Sequence, residues 1–375
     1  MSNSRSDPLL LGQRIVAILE TGLRTATYKL ATLMALIDYA IEHAPDDPAD
    51  TLTVPIPDLA HRVLELYWQQ VRPFEGRQLR QSTQERARIP QAALELRRRA
   101  GVETSGTSLA VARARAPAAY DEAIETITLC LAQQPLHRLQ RLPGTTSSDC
   151  FLYDDTPLHD KITRRSLRAM NDAITLKPGV ATGLARLAGL LKPALEIMWV
   201  EDVRRMNRFL EQDVPDVAGH LFGRERIGLS VVRAPLKDAF GPRCFYCNRE
   251  LGRSSPVDHV LPWSVLGIDG LANLVLACAR CNTDKRHSLP SVEIIDHVLG
   301  RDRQVLEEIA AAIEWPTQYD RVVAAARGIY RNQPPGTPTW AGVGSTTRLD
   351  LSYPRWWLTI DAGDEMGQPV IRPLR

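Results

Sequence analysis

The sequence lacks the long apolar runs of a membrane protein. No stretch of about 18 consecutive apolar residues occurs, so no membrane-spanning helix is expected. The first residues, Met1 to Pro8, are polar and contain no apolar core of the length found in signal peptides. With 44% hydrophobic and 24% charged residues in a chain of 375, the composition predicts a soluble globular protein of two or three domains.

The chain also lacks a large excess of one charge and a disulfide framework. Its 46 Lys and Arg residues are nearly balanced by 44 Asp and Glu residues, which leaves a net charge of +2. Any nucleic-acid-binding surface must therefore be a local patch. Of the six cysteines, four fall in one short motif, and this usage predicts a protein of the reducing cytoplasm.

The clustered cysteines form two Cys-x-x-Cys pairs within residues 243–290. The first pair is Cys244 and Cys247, the second is Cys278 and Cys281, and thirty residues lie between them. Two thiolates at this spacing can hold one side of a tetrahedral Zn²⁺, and a second pair completes the site. The intervening stretch is longer than the roughly 15–20 residues of a plain zinc ribbon. The pattern therefore predicts a zinc site whose intervening residues have a function of their own.

Polar residues at specific positions fill that intervening stretch. Asp258 and His259 are adjacent, and Asn273 follows fourteen residues after the histidine. His259 can accept a proton from water near neutral pH. Carboxylate and amide oxygens suit Mg²⁺ or Mn²⁺. A zinc module without chemistry is the alternative interpretation.

The combined pattern resembles the HNH nuclease family, also called ββα-metal or His-Me finger endonucleases. The match covers roughly fifty residues and contains C-x-x-C, D-H-x-x-P-x-S and N-L-x-x-x-C-x-x-C-N-x-x-K. The resemblance implies two short antiparallel strands and a helix around one divalent ion. The β-prone runs Pro256 to Leu261 and Leu274 to Leu276, and the helix-prone run Cys281 to His287, agree with it.

The resemblance also implies a role for each polar residue. His259 would be the general base, and Asn273 would orient it through its side-chain amide. Asp258 and Asn282 would bind the catalytic ion. His287 is an alternative ligand, because some family members end the motif with a histidine. The basic residues of the motif that would contact nucleic acid are Lys285, Arg280 and Arg286.

Two basic clusters outside the motif are further candidates for phosphate contacts. They consist of Arg97, Arg98 and Arg99, and of Lys161, Arg164 and Arg168. Helical spacing would place the second cluster on one face. The alternative for both clusters is an ordinary solvated face, balanced in the first case by nearby glutamates.

The rest of the chain is predicted to be mainly α-helical, with α+β character only locally. Four regions are expected: a helical region 1–142, a helical connecting region 143–228, the HNH nuclease domain 229–300, and C-terminal helices with a Trp-containing tail, 301–375. A helix, a short strand and a helix near the N-terminus fit either a winged-helix-like domain or a plain helical bundle.

These patterns predict a metal-dependent endonuclease that hydrolyses DNA, with structural Zn²⁺ and catalytic Mg²⁺ or Mn²⁺. One motif holds one scission centre, so a monomer would nick one strand, whereas a double-strand cut needs a homodimer or two events. A restriction or homing enzyme, and an anti-phage defence effector controlled by a regulatory protein partner, are narrower alternatives. A zinc-stabilised nucleic-acid-binding protein with an inactive HNH fold is the alternative outside enzymes.

Overall fold

The computed structural model describes residues 7–20, 24–103, 106–140, 150–159, 161–211, 217–222, 229–252, 255–352 and 355–359. Within these ranges the protein is mostly helical, with small two-stranded sheets, which confirms the predicted mainly α class. The chain forms two compact units, residues 1–228 and 229–375. The boundary after residue 228 coincides with the predicted start of the nuclease region. The further divisions expected at 142 and 300 stay predictions.

The first unit is built mainly from helices. They are α1 (Pro8–Glu20), α2 (Tyr28–His43), α3 (Ile56–Gln70), α4 (Arg88–Arg99), α5 (Leu109–Arg115), α6 (Pro117–Leu131), α7 (Arg164–Ala169), α8 (Val180–Met206) and α9 (Val217–Phe222). Helix α3 begins directly after Pro55 with a proline in its first turn, where a missing backbone N–H removes no helical hydrogen bond. None of the helices in the described ranges combines the length and apolar character needed to cross a membrane.

Helix α2 is the central element of this unit, since nearly all of its residues are buried between α3 and α8. Two buried ion pairs attach it to these neighbours. Lys192 Nζ lies 2.7 Å from Asp38 Oδ1. Arg62 donates to both carboxylate oxygens of Glu42, at 2.8 and 2.7 Å. Because each buried charge has a partner, removing either partner alone would leave an uncompensated charge in the core.

The strands of the first unit pair over a long sequence distance. Strand β1 (Leu52–Pro55) is antiparallel to β2 (Ala173–Leu176), with Leu52 opposite Leu176 and Pro55 opposite Ala173. A wing would instead be a local hairpin beside its helices. In the described residues, β1 therefore pairs with a strand from beyond residue 142, and the choice between a winged-helix-like domain and a helical bundle stays a prediction.

The second unit surrounds a short hairpin. Its elements are α10 (Ser230–Phe240), β3 (Val257–His259), β4 (Leu274–Leu276), α11 (Ala279–Lys285), α12 (Val292–Leu299), α13 (Arg303–Ala312), α14 (Tyr319–Arg331), β5 (Pro338–Gly342), β6 (Ser345–Arg348) and α15 (Trp356–Thr359). Helix α10 packs against β3 and β4. The β5–β6 hairpin was not predicted.

Candidate active site

The predicted ββα arrangement is present between the two cysteine pairs. Strand β3 is antiparallel to β4, with Asp258 opposite Val275 and His259 opposite Leu274. Helix α11 follows directly after its N-cap residue Cys278, whose Sγ accepts the N–H of Cys281 at 3.4 Å. Successive strand residues point to opposite faces, so the Asp258 and His259 side chains have different surroundings.

Asn273 stabilises the loop between the strands through hydrogen bonds from its side chain to backbone atoms of that loop. Its Oδ1 accepts the N–H of Leu261 at 2.7 Å, and its Nδ2 donates to the carbonyls of Leu261 and Ile268 at 3.2 and 3.1 Å. The side chain is fully buried. The sequence predicted a contact from this amide to His259. The amide instead fixes the loop that follows β3, because its polar atoms meet unpaired backbone groups there.

His259 is oriented by a residue that the sequence analysis did not assign to the site. Its Nε2 lies 2.8 Å from Asp269 Oδ1, and its ring centroid lies 5.3 Å from that of Trp263. Both members of the His259–Asp269 pair are largely buried, with 13% and 19% of their side-chain surfaces exposed. The indole N–H of Trp315 donates to the Asp269 carbonyl at 2.7 Å. The signal available in the sequence was an acidic residue four positions before Asn273.

Arg301 supports the same loop from outside the motif. It donates to the carbonyls of Leu274 at 2.8 Å, Ala272 at 2.7 Å and Leu271 at 3.2 Å. Burial lowers the pKa of Arg301 to about 10. One buried guanidinium therefore holds the backbone on both sides of Asn273, and no local sequence pattern indicates this long-range contact.

Asp258 lies on the other face of β3, in a buried polar cluster. Its Oδ2 accepts the hydroxyl of Tyr246 at 2.7 Å and lies 3.1 Å from Lys285 Nζ. Burial, followed by the negative charge of Asp258, raises the pKa of Tyr246 well above its ordinary value. Lys285 also donates to the His259 carbonyl at 2.7 Å. Its side chain is only 1% exposed, so its position does not fit the predicted phosphate contact: the ammonium neutralises Asp258 instead.

The four motif cysteines converge as predicted. The Sγ atoms of Cys244, Cys247, Cys278 and Cys281 all lie within 4.8 Å of one another. The sulfurs of Cys247 and Cys278 are 3.8 Å apart. Four sulfurs at about 2.3 Å from a tetrahedral Zn²⁺ are separated by about 3.8 Å, so the donor set and its size fit this ion.

The thiols differ in how readily they ionise. Burial opposes ionisation of Cys278, but hydrogen bonds from Cys281 and the neighbouring thiols outweigh it and lower the pKa of Cys278 to about 7. Burial first, and then the adjacent thiols, raise the pKa of Cys281. The group therefore already favours a thiolate at Cys278, the form that binds zinc.

The β5–β6 hairpin packs on this cysteine group. Trp340 is buried against Cys244 and Cys281, and its ring centroid lies 5.0 Å from that of Tyr246. The Trp340 indole donates to Asp284 Oδ2 at 2.8 Å, which lowers the pKa of Asp284. The predicted Trp-containing tail therefore includes a structural support for the motif.

The remaining motif residues lie on or beside α11. Asn282 is half-buried, three residues before Lys285, a spacing that places both on the same side of the helix. Helix α11 ends at Lys285, because Arg286 has a positive φ of 50°. Arg280, Arg286 and His287 are exposed, so the two arginines remain accessible to nucleic acid and His287 lies beyond the helix.

Comparison with known families agrees with this geometry. A family model described as HNH endonuclease matches residues 244–288. A second model, described as a domain of unknown function (DUF8808), matches residues 10–220, which is more than half of the chain. The chain belongs to the DUF8808 family. It carries an HNH endonuclease segment after its DUF8808 region. No curated protein and no protein of solved structure matches the chain.

The first basic cluster lies in the DUF8808 region and is largely occupied by internal contacts. Arg97 is fully buried: it donates to the carbonyls of Trp68 and Val102, each at 2.9 Å, and burial lowers its pKa to about 10. It therefore supports the fold and does not form the predicted phosphate contact. The neighbouring arginines pair with carboxylates on the surface, Arg98 with Glu95 and Arg99 with Glu122.

The second DUF8808 cluster is exposed but is not a single helical face. Helix α7 begins at Arg164, after a capping box formed by Thr163 and Ser166. Lys161 precedes the helix, so the predicted common face holds only Arg164 and Arg168. Arg164 lies 2.8 Å from Glu125. Lys161 and Arg168 remain exposed candidates for a phosphate contact.

Proposed function

We propose that the protein is a metal-dependent endonuclease that hydrolyses phosphodiester bonds of DNA. The HNH segment indicates nuclease-type activity. The observation that supports catalysis most directly is the His259–Asp269 hydrogen bond of 2.8 Å. This bond orients an imidazole on a strand of the ββα motif, next in sequence to Asp258.

The pair gives His259 the role of general base. A carboxylate that accepts the Nε2 proton favours the tautomer in which Nδ1 has the free lone pair. Nδ1 then accepts the proton of the attacking water. Asp269 holds the imidazole in this orientation through its hydrogen bond and takes no part in the reaction itself.

Asp258 and Asn282 are the residues we assign to the catalytic ion. A carboxylate and an amide are hard oxygen donors that suit Mg²⁺ or Mn²⁺, which keep several water ligands and also bind substrate phosphate. When bound, the ion would neutralise charge on the phosphate and the leaving oxygen. Among the described residues of this unit, the cysteine group is the one place where three or more Cys, His, Asp or Glu ligand atoms converge. The catalytic ion would thus have few protein ligands, and the Asp258 carboxylate would bind the ion while it also pairs with Lys285.

Incubation of the purified protein with supercoiled plasmid tests the proposal. We expect nicking in Mg²⁺ or Mn²⁺ and none in excess EDTA, because EDTA removes the divalent ion that cleavage needs. Sequencing the cut ends distinguishes a restriction-type from a non-specific enzyme, and plaque counts in cells producing the protein test a role in phage defence. Intact plasmid under every metal condition would contradict the nuclease proposal.

One observation favours a second function, DNA binding without cleavage. The Lys285 ammonium already neutralises Asp258, the charge that a catalytic ion needs. A protein that binds plasmid in a gel-shift assay but leaves it supercoiled in all divalent metals would be this zinc-stabilised binder.

Changing Asp269 to asparagine should lower kcat for nicking by roughly 10–100-fold, the loss typical of partners that orient metal-bound histidines. KM should stay unchanged, because Asp269 contacts His259 and not the substrate. The Asp320→Asn variant is the matched control, since it removes a carboxylate charge from an exposed ion pair with Arg303. Equal kcat values for both variants would exclude a positioning role for Asp269.

Changing Asn282 to alanine should abolish nicking in Mg²⁺, whereas His287→Ala should retain most of it. Asn282 lies on the same side of α11 as Lys285, which reaches Asp258, whereas His287 is exposed beyond the end of the helix. Both variants should be assayed on the same plasmid in Mg²⁺ and Mn²⁺. Loss of activity in His287→Ala, with activity retained in Asn282→Ala, would reverse the assignment of the ligand.

A further inference from the structure

Helix α8 presents an apolar stripe that is not buried within its own unit. Leu190 and Ile197 are 74% and 61% exposed. Pro193 and Ala194, between them, are also exposed. At 3.6 residues per turn, positions 190, 193, 194 and 197 fall on one side of a helix. Large apolar side chains in a contiguous exposed patch commonly mark an interaction surface.

The opposite side of α8 already provides the packing that the fold requires. Leu195 and Trp199 are fully buried, and Lys192 forms the buried ion pair with Asp38 of α2. Helix α1 packs beside the N-terminal part of α8, where Leu11 lies against Gly183. The stripe is thus additional to the core, and its substitution should leave the fold intact.

The ends of the stripe carry opposite charges at symmetric positions. Arg186 and Glu201 are exposed on the same side of the helix as Leu190 and Ile197. The pair Arg186 and Glu201 and the pair Leu190 and Ile197 share one midpoint, between Pro193 and Ala194. A two-fold axis through that midpoint would place each member of a pair opposite the other member in a second copy.

We propose that α8 is the interface of a homodimer in which two copies of the helix cross in antiparallel orientation. Leu190 of one copy packs on Ile197 of the other, and Arg186 of each copy pairs with Glu201 of the other. This is the self-complementary surface that a two-fold dimer requires. A parallel arrangement would instead bring Arg186 against Arg186 and Glu201 against Glu201, and such like-charge contacts oppose it.

The small side chain of Ala194 and the ring of Pro193 occupy the crossing point. Small residues there allow two helix backbones to approach closely, and the larger Leu190 and Ile197 then pack on either side.

Helix α1 adds exposed Leu9, Leu10 and Val16 to the apolar surface of the same unit. The partner is therefore a second copy of this chain, and its recognition requires neither DNA nor a catalytic ion.

The mass of the protein in solution, measured by sedimentation equilibrium or light scattering without DNA, tests the proposal. The wild type should have twice the 41.8 kDa of one chain. The Ile197→Glu variant should be monomeric, because it places a carboxylate within the apolar contact, opposite Leu190 of the second copy. Val231→Glu is the matched control: Val231 is 54% exposed in the other unit, so this variant should remain dimeric.

A charge exchange tests the antiparallel register. Arg186→Glu and Glu201→Arg should each raise the dimer dissociation constant by about tenfold, because each creates two like-charge contacts per dimer. The double variant should return it towards the wild-type value. A monomeric wild type, or Ile197→Glu with an unchanged mass, would overturn the dimer. A double variant as weak as the single ones would overturn the antiparallel pairing.

Discussion

Replacing His259 with alanine is expected to lower the rate of plasmid nicking by about 10²–10⁴-fold, the usual contribution of a general base. The His259 imidazole is bonded to a carboxylate, that of Asp269, at 2.8 Å. Its side chain is 13% exposed, so a water molecule can still reach the ring while the bulk solvent is largely excluded. The initial rate of conversion of supercoiled to nicked plasmid, in saturating Mg²⁺, measures the effect.

Two controls separate loss of the base from loss of the fold. The His259→Ala variant should keep the wild-type melting temperature and zinc content, because Asn273 and Arg301 hold the loop through backbone contacts that do not involve the imidazole. Added imidazole should restore part of the activity by entering the vacated space. The His287→Ala variant removes an exposed imidazole from the same segment and should stay active. Wild-type nicking by His259→Ala would show that another group is the base.

The local parts of the site could be predicted from the sequence because their geometry depends on short spacings. Two thiols separated by two residues meet one ion from a single turn, so the convergence of the four cysteines follows from the pattern. Strand β4 was predicted at 274–276 and found there, because its short apolar run is buried in the centre of the unit. Strand β3 also lies within its predicted run, whereas helix α11 begins and ends two residues before the predicted run of 281–287.

The contacts that orient the site could not be predicted, because they join residues far apart in sequence. Arg301 reaches the carbonyl of Leu274 from the connection before α13, and Trp315 reaches Asp269 from beyond that helix. Such long separations in sequence leave no helical or strand periodicity from which the contacts could be predicted. Gly270 also depends on a residue far away in the sequence. A Cβ at this position would lie 2.5 Å from the Thr317 carbonyl, so packing against that residue requires a glycine.

Charged residues were the least predictable part, since a sequence does not show which charges pair inside the fold. Lys285 and Arg97 were expected at the surface, and both are buried with partners: Asp258 for Lys285, and backbone carbonyls for Arg97. The long side chains of these residues can place a charge several ångströms from their own backbone. The same freedom explains why Arg164 pairs with Glu125 on another helix.

Removing zinc should unfold the cysteine group and the elements packed on it, and this should abolish nicking even in excess Mg²⁺. The ion would join Cys244, next to the hairpin, to Cys281 on α11, and Trp340 packs on this group from β5. Structural Zn²⁺ binds small zinc peptides with an apparent free energy of about 10–16 kcal/mol, and this energy contributes to folding. We expect about one Zn²⁺ per chain by elemental analysis of protein purified without chelator. Cys278→Ser should lose this zinc and melt at a lower temperature.

Tryptophan fluorescence distinguishes loss of the ion from loss of the whole fold. Trp340 is 3% exposed, and its indole donates to Asp284 on α11, so chelation should shift the emission to longer wavelength as this contact opens. Cys150→Ser is the matched control: it removes a thiol of the DUF8808 region that bonds Asp155, and it should keep one zinc and wild-type nicking. Restoring Zn²⁺ after chelation should recover both the emission and the activity. Zinc-free protein with full activity and unchanged emission would show that the four thiols stabilise the motif without an ion.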